Sequence, residues 1–338
     1  MKSILVEGPG RLTLVEKPVP DPAAGQVRVR VRHAGICGSD IHIYHGTHPF
    51  VRYPRVIGHE FAGAIDAVGP GVAADRVGQR VAVTPVISCG HCYQCRVGRP
   101  NVCANLRVVG VHLDGGFSEY CCVPAELAHP VPDTVDDRAA ATVEPFSIAA
   151  NMLSRTGVEP FEVALVYGAG PIGMTVIQAL KGVYRVETLV VVDRIEARLG
   201  WARAAGADLA IDTSNARLPD ILAEKGLAPT LIIDAACHPS ILEEAIDLAS
   251  PAARIGLMGF SPDPSHVPQR KLNAKELSIF ASRLNNRQFP KVIDWMARGQ
   301  IHPAQFISHD FPFTKVREAF DLLETTPAEC CKVMLDFA

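Results

Sequence analysis

A glycine-rich turn between an apolar strand and a helix constrains the fold of this chain more than any other feature. The turn runs Gly168-Ala-Gly170-Pro-Ile-Gly173 and follows the apolar run Val163–Tyr167. Glycines at these positions let the backbone approach a pyrophosphate at the helix N-terminus, where unpaired N–H groups favour negative charge. A second apolar run ends at Asp193, twenty residues after Gly173. This is the context that a dinucleotide-binding βαβ unit needs, whereas the glycine pattern alone would also fit a plain turn.

The residues around the turn predict which dinucleotide binds. Pro171 and Ile172 complete the turn and are candidate cofactor contacts together with the three glycines. Asp193 would accept hydrogen bonds from both ribose hydroxyls and repel a 2′-phosphate, so NAD is favoured over NADP. Arg194 and Arg198 keep NADP open, because a guanidinium can bind that phosphate, although both would also suit a solvated helix face.

The chain from about Phe161 alternates apolar strands with helical stretches, which predicts a parallel sheet covered on both faces. The expected strands are Val163–Tyr167, Thr188–Asp193, Asp208–Asp212, Thr230–Ala236, Arg254–Gly259 and Leu277–Ser282. The expected helices are Pro171–Lys181, Glu196–Ala205 and Pro239–Ala249.

The first part of the chain has a different texture. Val27, Val29 and Val31 alternate with arginines, which predicts a strand with one face in water. Glycine and proline punctuate further short β runs, so we expect an irregular, mostly β domain. The predicted limits are 1–148 for this domain, 149–284 for the nucleotide-binding domain, and 285–338 for a segment that returns to the first domain.

Four cysteines form a metal-ligand pattern of the type Cys-x2-Cys-x2-Cys-x7-Cys, at Cys89, Cys92, Cys95 and Cys103. Four thiolates close a tetrahedral zinc shell and leave no position for a substrate. The spacing therefore predicts a structural zinc that pins a long loop with little core of its own. An iron–sulfur cluster or a group of redox thiols is the alternative.

A second constellation between Cys37 and Glu60 combines a thiol, imidazoles and carboxylates. Thiolate and imidazole are natural ligands of zinc. We predict that Cys37 and His59 hold a zinc ion whose third ligand lies far along the chain, which leaves a fourth position open for catalysis. The alternative is a buried free thiol beside ordinary surface histidines.

Composition excludes several classes of function. The chain has 338 residues, of which 48% are apolar and 20% charged, so it can form a large core in roughly two domains. A net charge of -3 without a long basic run argues against nucleic acid or an anionic membrane as the main partner. The sequence has neither an apolar run of membrane-spanning length nor a signal peptide, so we expect a cytoplasmic protein.

The order of these motifs resembles the zinc-containing medium-chain alcohol dehydrogenase superfamily over essentially the whole chain. The residues that carry the resemblance are Cys37-Gly-x-Asp40-x-His42, Gly58-His59-Glu60, the four-cysteine loop, Glu144-Pro145 and the glycine turn. The run Gly110–Tyr120 and the step Val143–Phe146 resemble the branch that acts on polyols and on sugar acids such as L-galactonate, L-idonate or gulonate. The resemblance implies an α/β protein, with a GroES-like, mostly β catalytic domain and a Rossmann domain containing a doubly wound, parallel six-stranded sheet.

The resemblance also implies the ligands of a catalytic zinc. Cys37 and His59 match two of them, and Glu144 matches the third, which binds directly or through water. From the residues alone, Glu144 would be read as a carboxylate stabilised at a helix N-terminus. Glu60 resembles a neighbouring glutamate that can exchange onto zinc. Two zinc ions per chain, one catalytic and one structural, and NAD are the implied cofactors.

The same resemblance implies a proton relay. Ser39 and His42 match the hydroxyl and imidazole that carry the alcohol proton outward, and Asp40 matches a residue that orients a zinc ligand. Zinc as a Lewis acid lowers the pKa of a hydroxyl bound to it. The chemistry expected of the residues therefore agrees with the roles that the resemblance implies.

The substrate and the assembly are less constrained. Tyr44, Phe117 and Arg283 match positions that line the family's pocket, and Arg283 would hold a sugar-acid carboxylate bidentately or form a surface ion pair. A small-molecule substrate and a homo-oligomer, either dimer or tetramer, are the implied partners. Two other functions stay open: a nucleotide-binding regulatory or structural protein without turnover, and a zinc-free NADPH-dependent quinone or enoyl reductase.

Overall fold

A computed structural model describes residues 1–337, which form two compact units. Unit 1 contains Met1–Ser147, Asn285–Arg298 and the residues from Ile307 onward, and unit 2 contains Ile148–Leu284 and Gly299–Phe306. None of the helices in the described residues is both long and apolar enough to cross a membrane.

Strands predominate in the first part of the chain, and strands alternate with helices in the second part. The strands are β1 (Lys2–Gly8), β2 (Arg11–Glu16), β3 (Gln26–Ile36), β4 (Arg55–Val56), β5 (Glu60–Val68), β6 (Arg80–Val83), β7 (Val86–Ile87), β8 (Arg107–Val108), β9 (Tyr120–Pro124), β10 (Ala128–Pro130), β11 (Val163–Tyr167), β12 (Thr188–Asp193), β13 (Leu209–Asp212), β14 (Leu231–Asp234), β15 (Arg254–Leu257), β16 (Ser278–Ala281), β17 (Ile307–Pro312) and β18 (Lys332–Asp336). The helices are α1 (Gly38–Tyr44), α2 (Tyr93–Arg96), α3 (Asp137–Ala140), α4 (Val143–Thr156), α5 (Pro171–Gln178), α6 (Glu196–Ala204), α7 (Leu218–Glu224), α8 (Pro239–Leu248), α9 (Gln269–Lys275), α10 (Phe289–Ala297) and α11 (Val316–Thr325).

The valine–arginine alternation forms β3, the central strand of unit 1. Val27, Val29 and Val31 are at most 2% exposed, because the pleat directs alternate side chains into the core. The main sheet has the order β10-β6-β5-β3-β18-β17, and β9 pairs with β3 as well. Strand β3 therefore has β5 on one side and β18, from the C-terminal segment, on the other. This arrangement brings the C-terminal strand beside the end of β3, which leads directly into Cys37.

Unit 2 has the parallel six-stranded sheet that the alternation of strands and helices predicts. Its order is β13-β12-β11-β14-β15-β16, and every neighbouring pair is parallel. This is the doubly wound order, in which the first strand of the unit lies near the centre and carries the phosphate-binding turn at its carboxyl end. The buried core on this sheet includes Leu165, Val190, Ile232 and Ile255, all 0% exposed.

The structure adds elements that the sequence analysis did not predict. Helices α7 and α9 have seven residues each, which is too short for an apolar period to identify a helix from the sequence. The helix that begins at Pro171 is α-helical only to Gln178 and then widens into a π-helical segment, Ala179–Tyr184.

One part of the C-terminal segment differs from the expected return to the first domain. Gly299–Phe306 groups with unit 2. The side chain of Gln178 holds it there, because its Nε2 donates to the His302 carbonyl at 3.1 Å and its Oε1 accepts from the His302 N–H at 2.7 Å. A buried glutamine satisfied by backbone groups is a position that hydrophobic patterning does not reveal.

Candidate active site

The first part of the site is the step from β3 into α1. Cys37 is the extended residue between the two elements. The carboxylate of Asp40 accepts the Cys37 N–H at 2.9 Å and the Gly58 N–H at 3.3 Å. Burial raises the pKa of Asp40, which is 0% exposed, although His59 and the two backbone donors oppose that rise. Asp40 thus fixes the segment that carries His59 relative to the segment that carries Cys37.

The second part of the site is the turn at Gly58, which places His59 immediately before β5. Gly58 has φ +91° and lies against the ring of Phe117, where an added Cβ would be 2.1 Å from a ring carbon. Only glycine fits this position, because both the conformation and the space exclude a side chain. His59 Nδ1 lies 3.7 Å from Asp40 Oδ1, and His59 Nε2 lies 3.5 Å from Ser39 Oγ.

These two segments bring metal-ligand atoms together. The ligand atoms of Cys37, His59 and Glu60 all lie within 4.8 Å of one another. Burial alone would lower the pKa of His59, but Asp40 and Cys37 raise it well above its usual value. The imidazole therefore sits in a strongly negative environment, which is the environment that a cation would occupy.

The carboxylate of Glu60 is held by a residue that the sequence analysis missed. Lys332 Nζ lies 2.8 Å and 2.7 Å from the two carboxylate oxygens of Glu60 and also donates to the Ile36 carbonyl at 3.2 Å. Both side chains are 2% exposed. The pair fits over β3 because Gly35, opposite Glu60 in the ladder, has no side chain; an added Cβ would lie 2.3 Å from Glu60 Oε2.

Glu144 lies in the first turn of α4 and is 5% exposed. Burial raises its pKa to about 7, a rise that His59 and Lys332 oppose and that Glu60 and Asp40 reinforce. Glu144 therefore belongs to the same electrostatic cluster as Cys37 and His59. The tight group of ligand atoms contains Glu60 rather than Glu144, so the structure brings the predicted third ligand near the site without placing it within that group.

The donor set fits zinc on grounds of charge and ligand type. When ionised, the partly exposed Cys37 and the buried Asp40, Glu60 and Glu144 carry four negative charges within one cluster. Lys332 balances one of these charges. Uncompensated charge in a buried site is strongly unfavourable. A dication bound by sulfur, nitrogen and oxygen would neutralise most of the excess negative charge. Zinc accepts that combination of ligands.

The predicted relay residues lie on one face of α1. Ser39 and His42 are three residues apart, a spacing that places side chains on the same side of a helix. Thr47 donates its hydroxyl to the His42 carbonyl at 3.3 Å, and its oxygen lies 3.0 Å from His42 Nδ1. In this arrangement Nδ1 donates to Thr47, so Nε2 is the nitrogen that can accept a proton.

The four predicted cysteines of the loop come together. The Sγ–Sγ distances are 3.4 Å for Cys92–Cys95, 3.7 Å for Cys92–Cys103 and 3.4 Å for Cys89–Cys103. A tetrahedral shell with Zn–S bonds of about 2.3 Å requires about 3.8 Å between sulfurs. Backbone hydrogen bonds from His91 and Cys92 lower the pKa of Cys89 to about 5, which favours the thiolate that binds metal.

The glycine turn in unit 2 opens onto a cavity of ≈ 850 Å³. Gly168 has φ +88°, and an added Cβ on Gly173 would lie 1.8 Å from the Gly168 carbonyl oxygen. These glycines allow α5 to pack closely on β11, as the dinucleotide fingerprint requires. Residues predicted to bind the cofactor line the cavity, namely Gly168, Gly170, Pro171, Asp193, Arg194 and Arg198.

Asp193 is fixed by backbone groups at the end of β12. Its carboxylate accepts N–H donors from Ala169 at 2.8 Å, Arg194 at 2.7 Å and Ile195 at 3.0 Å. The negative charge therefore has a defined position in the cavity wall. The Arg198 guanidinium lies beside Gly170, 3.7 Å from where a Cβ would be.

The structure places the three predicted substrate residues in different surroundings. Phe117 is 0% exposed, and its ring packs against Gly58 in the core. Tyr44 is directed toward α11, where its hydroxyl accepts from Arg317 at 3.2 Å and its ring packs on Phe320. Arg283 belongs to unit 2 and stacks over the Phe260 ring at 5.9 Å.

The sequence contained one weak signal for Lys332. It is a single basic residue at the start of the apolar run Lys332–Asp336, where a strand would be expected to begin with a surface residue. A buried lysine needs an anionic partner, but the identity of that partner depends on the order of strands in the sheet. Nothing in the sequence indicated that Gly35 leaves space for the Glu60 carboxylate, because this role depends on the pairing of β3 with β5.

Comparisons with known proteins agree with this geometry. Residues 23–133 match the family model described as the alcohol dehydrogenase GroES-like domain, and residues 171–298 match the model described as zinc-binding dehydrogenase. The chain is 58% identical to the starvation-sensing protein RspB of Escherichia coli K12 over 338 residues, covering 100% of both chains. It is 32% identical to the L-galactonate-5-dehydrogenase of the same organism, covering 100% of this chain and 99% of that protein.

A solved structure is also similar over nearly the whole chain. It is the RspB alcohol dehydrogenase of E. coli CFT073 complexed with NADH, which has a TM-score of 0.97 and 58% identity and covers 100% of this chain and 99% of that chain. The predicted family, fold class and cofactors are thereby confirmed. The chain belongs to the zinc-containing, NAD(P)-dependent medium-chain alcohol dehydrogenases, in their polyol branch.

Proposed function

We propose that this dehydrogenase oxidises a secondary hydroxyl of a polyol or sugar acid, with NAD as the hydride acceptor. The reaction converts the alcohol and NAD⁺ into a ketone, NADH and a proton. The observation that carries the proposal is the convergence of the ligand atoms of Cys37, His59 and Glu60 within 4.8 Å, with Glu144 buried beside them. The similarity to an L-galactonate-5-dehydrogenase supports the class of substrate.

Each residue of the site has a role in this proposal. Cys37, His59 and Glu144 hold the catalytic zinc. Glu60 is paired with Lys332 and can exchange onto the metal. When bound, zinc supplies a Lewis acid that lowers the pKa of the substrate hydroxyl. Asp40 orients His59 through the contact at Nδ1.

The proton leaves along α1. Ser39 Oγ lies 3.5 Å from His59 Nε2, so the hydroxyl is next to the atom that would bind the metal. Ser39 accepts the proton of the substrate hydroxyl and passes its own to the acceptor nitrogen of His42. His42 is exposed, so it releases the proton to solvent.

The residues proposed to bind NAD belong to unit 2. Gly168, Gly170, Pro171, Ile172 and Gly173 would cradle the pyrophosphate, and Asp193 would bind the ribose of NAD. Arg194 and Arg198 would contribute positive charge to the cofactor phosphates. The fixed carboxylate of Asp193 is the reason for preferring NAD over NADP in this chain.

Assembly and compartment are part of the proposal. Strand β16 is at the edge of its sheet, and its residues are exposed or partly exposed, including Ile279 at 36%. An unpaired strand edge with apolar side chains favours pairing with another chain, which supports a homo-oligomer. Two zinc sites built on thiolates favour a reducing compartment, so we propose the cytoplasm. Light scattering after size-exclusion chromatography measures the oligomer directly.

The function is tested in two steps. Metal analysis of the purified protein should give two zinc ions per chain. The zinc-loaded protein is then mixed with NAD and a panel of aldonates and polyols, while NADH formation is followed at its absorbance band. Turnover of a secondary alcohol in this panel supports the proposal. Protein that binds NADH and two zinc ions but oxidises no member of the panel would contradict it and favour a regulatory role.

A further inference from the structure

Three aromatic rings form a patch beside the zinc-site helix, built from two separate parts of unit 1. His48 follows α1, and its N–H donates to the His42 carbonyl at 3.2 Å, so the chain folds back onto the helix. The Phe50 ring has its centroid 6.0 Å from that of His48 and 6.3 Å from that of His112. The Phe50 and His112 rings are stacked at 25°. We call His48, Phe50 and His112 the His48 patch.

The backbone sets the tautomer of both histidines. Nδ1 of His48 accepts the Phe50 N–H at 3.3 Å, and Nδ1 of His112 accepts the Val108 N–H at 3.0 Å. A ring nitrogen that accepts a hydrogen bond is unprotonated in neutral imidazole, so Nε2 carries the proton. His48 therefore presents Nε2 as a donor, and its backbone contact prevents Nε2 from becoming an acceptor in the neutral ring.

The patch belongs to the surroundings of the zinc site. Burial lowers the pKa of His48, and the nearby imidazoles of His59, His42 and His112 lower it further. Phe50 is 43% exposed, which leaves much of its apolar surface for another molecule. A fixed N–H donor next to an apolar ring is thus available on the same unit, and near the same imidazoles, as the metal ligands.

We propose that the His48 patch selects the carboxylate end of a sugar-acid substrate. His48 Nε2–H donates to a carboxylate oxygen, while Phe50 packs against the C–H groups of the carbon chain. A carboxylate has only hydrogen-bond acceptors, whereas a hydroxyl can donate or accept. A fixed N–H donor therefore favours a carboxylate over a hydroxyl. The inference rests on the proposed function and makes His48 a specificity residue, in place of the predicted Tyr44 and Phe117.

The test compares substrates that differ only at one end. Kinetics are measured with an aldonate and with the polyol of the same stereochemistry, in which a CH₂OH group replaces the carboxylate. In His48→Leu, the KM for the aldonate should rise about 10- to 100-fold with kcat changed less than about twofold, because one charge-assisted hydrogen bond is lost. The KM for the polyol should change by less than about threefold. His48→Gln keeps an N–H donor and should restore most of the aldonate affinity.

A matched control lies on the same turn. His45 pairs with Glu324 and is exposed, so His45→Leu removes a neighbouring imidazole without touching the patch. This variant should retain the wild-type KM for both substrates. Phe50→Ala should raise KM for both substrates, because the carbon chain is common to them.

The outcomes separate this inference from the proposed function. An equal rise of KM for both substrates in His48→Leu, or no rise for either, overturns the role of His48 and leaves the dehydrogenase assignment standing. If the zinc-loaded wild-type protein oxidises neither substrate, the proposed function fails, and calorimetry then measures aldonate binding to the wild-type and His48→Leu proteins. Equal affinity in that measurement overturns the inference, and weaker binding to His48→Leu supports it.

Discussion

Lys332 and Glu60 form a buried ion pair across the central strand of unit 1, with Nζ 2.7 Å and 2.8 Å from the two carboxylate oxygens. The two residues are 272 positions apart in the chain. Glu60 also belongs to the group of ligand atoms that includes Cys37 and His59. The carboxylate therefore lies within reach of a metal but is neutralised by an ammonium group. In the proposed zinc site, this pairing leaves Glu144 as the carboxylate that is available to the metal.

Replacing Lys332 by methionine should destabilise the protein strongly. The substitution keeps the length of the side chain but leaves the Glu60 carboxylate buried without its cation. Breaking a buried pair on one side costs about 3–5 kcal/mol of unfolding free energy. Denaturant unfolding of the zinc-loaded protein measures the loss. Lys332→Arg, which retains the charge, should recover part of it, and a methionine variant as stable as wild type would show that the pair is dispensable.

Gly35 should be as necessary as the lysine for this arrangement. A Cβ at Gly35 would lie 2.3 Å from Glu60 Oε2, so Gly35→Ala must push the carboxylate away from Lys332. We expect a loss of about 1–3 kcal/mol, the range of an overpacked core. Gly38→Ala is the matched control, because nothing lies within 4 Å of its added Cβ. Equal melting temperatures for the two variants would contradict the role assigned to Gly35.

Local patterns predicted much of the fold. The alternation of valine with arginine sets β3 because the period of a strand is two residues, and the glycine turn sets α5 because its backbone conformation is restricted. The four-cysteine spacing needs only one loop to bring its sulfurs together. The sequence also indicated Cys37 and His59, which lie at the adjacent ends of the paired strands β3 and β5.

Features that depend on tertiary structure could not be predicted in this way. The partner of Lys332 depends on β18 lying beside β3, a pairing between distant segments. Phe117 was assigned to a pocket because it matches a position that lines the family's pocket, and a sequence match does not show that its ring packs against Gly58. The His48 patch depends on a loop conformation in which a ring nitrogen accepts a backbone N–H, and no periodicity encodes that contact.

The four-cysteine site should hold one zinc independently of the catalytic site. Cys103→Ser removes a ligand whose Sγ lies 3.4 Å from that of Cys89. We expect the metal content to fall from two zinc ions per chain to one, with a lower melting temperature, because metal binding supplies folding energy to a loop with little core. Mass spectrometry of the metal measures the ratio. Cys122→Ser, at a thiol outside the cluster, should retain two ions, and two ions in Cys103→Ser would refute the assignment.

The charge of Asp193 should determine the choice between the two dinucleotides. Asp193→Asn keeps one oxygen that can accept the N–H donors of Arg194 and Ile195, places an amide group against the Ala169 N–H, and removes the negative charge. Repulsion between a carboxylate and a phosphate at contact distance is about 1–4 kcal/mol, so the ratio of NADP affinity to NAD affinity should rise about 10-fold or more. Fluorescence titration with NADH and NADPH measures both affinities. Arg198→Ala should shift the ratio in the opposite direction, and an unchanged ratio in Asp193→Asn would exclude an electrostatic basis for the preference.

The Ser39 hydroxyl is the first acceptor in the proposed path of the proton, and its Oγ lies 3.5 Å from His59 Nε2. Ser39→Ala should lower kcat about 100-fold, the lower end of what a positioned proton-transfer group contributes. The zinc content and the affinity for NADH should stay at wild-type values, because the side chain of Ser39 is not a ligand in the proposal. Ser261→Ala, an exposed serine of unit 2, serves as the control and should keep full activity. A Ser39→Ala protein that loses zinc would mean that the hydroxyl supports the metal shell, whereas one that turns over at the wild-type rate would mean that the proton leaves by another route.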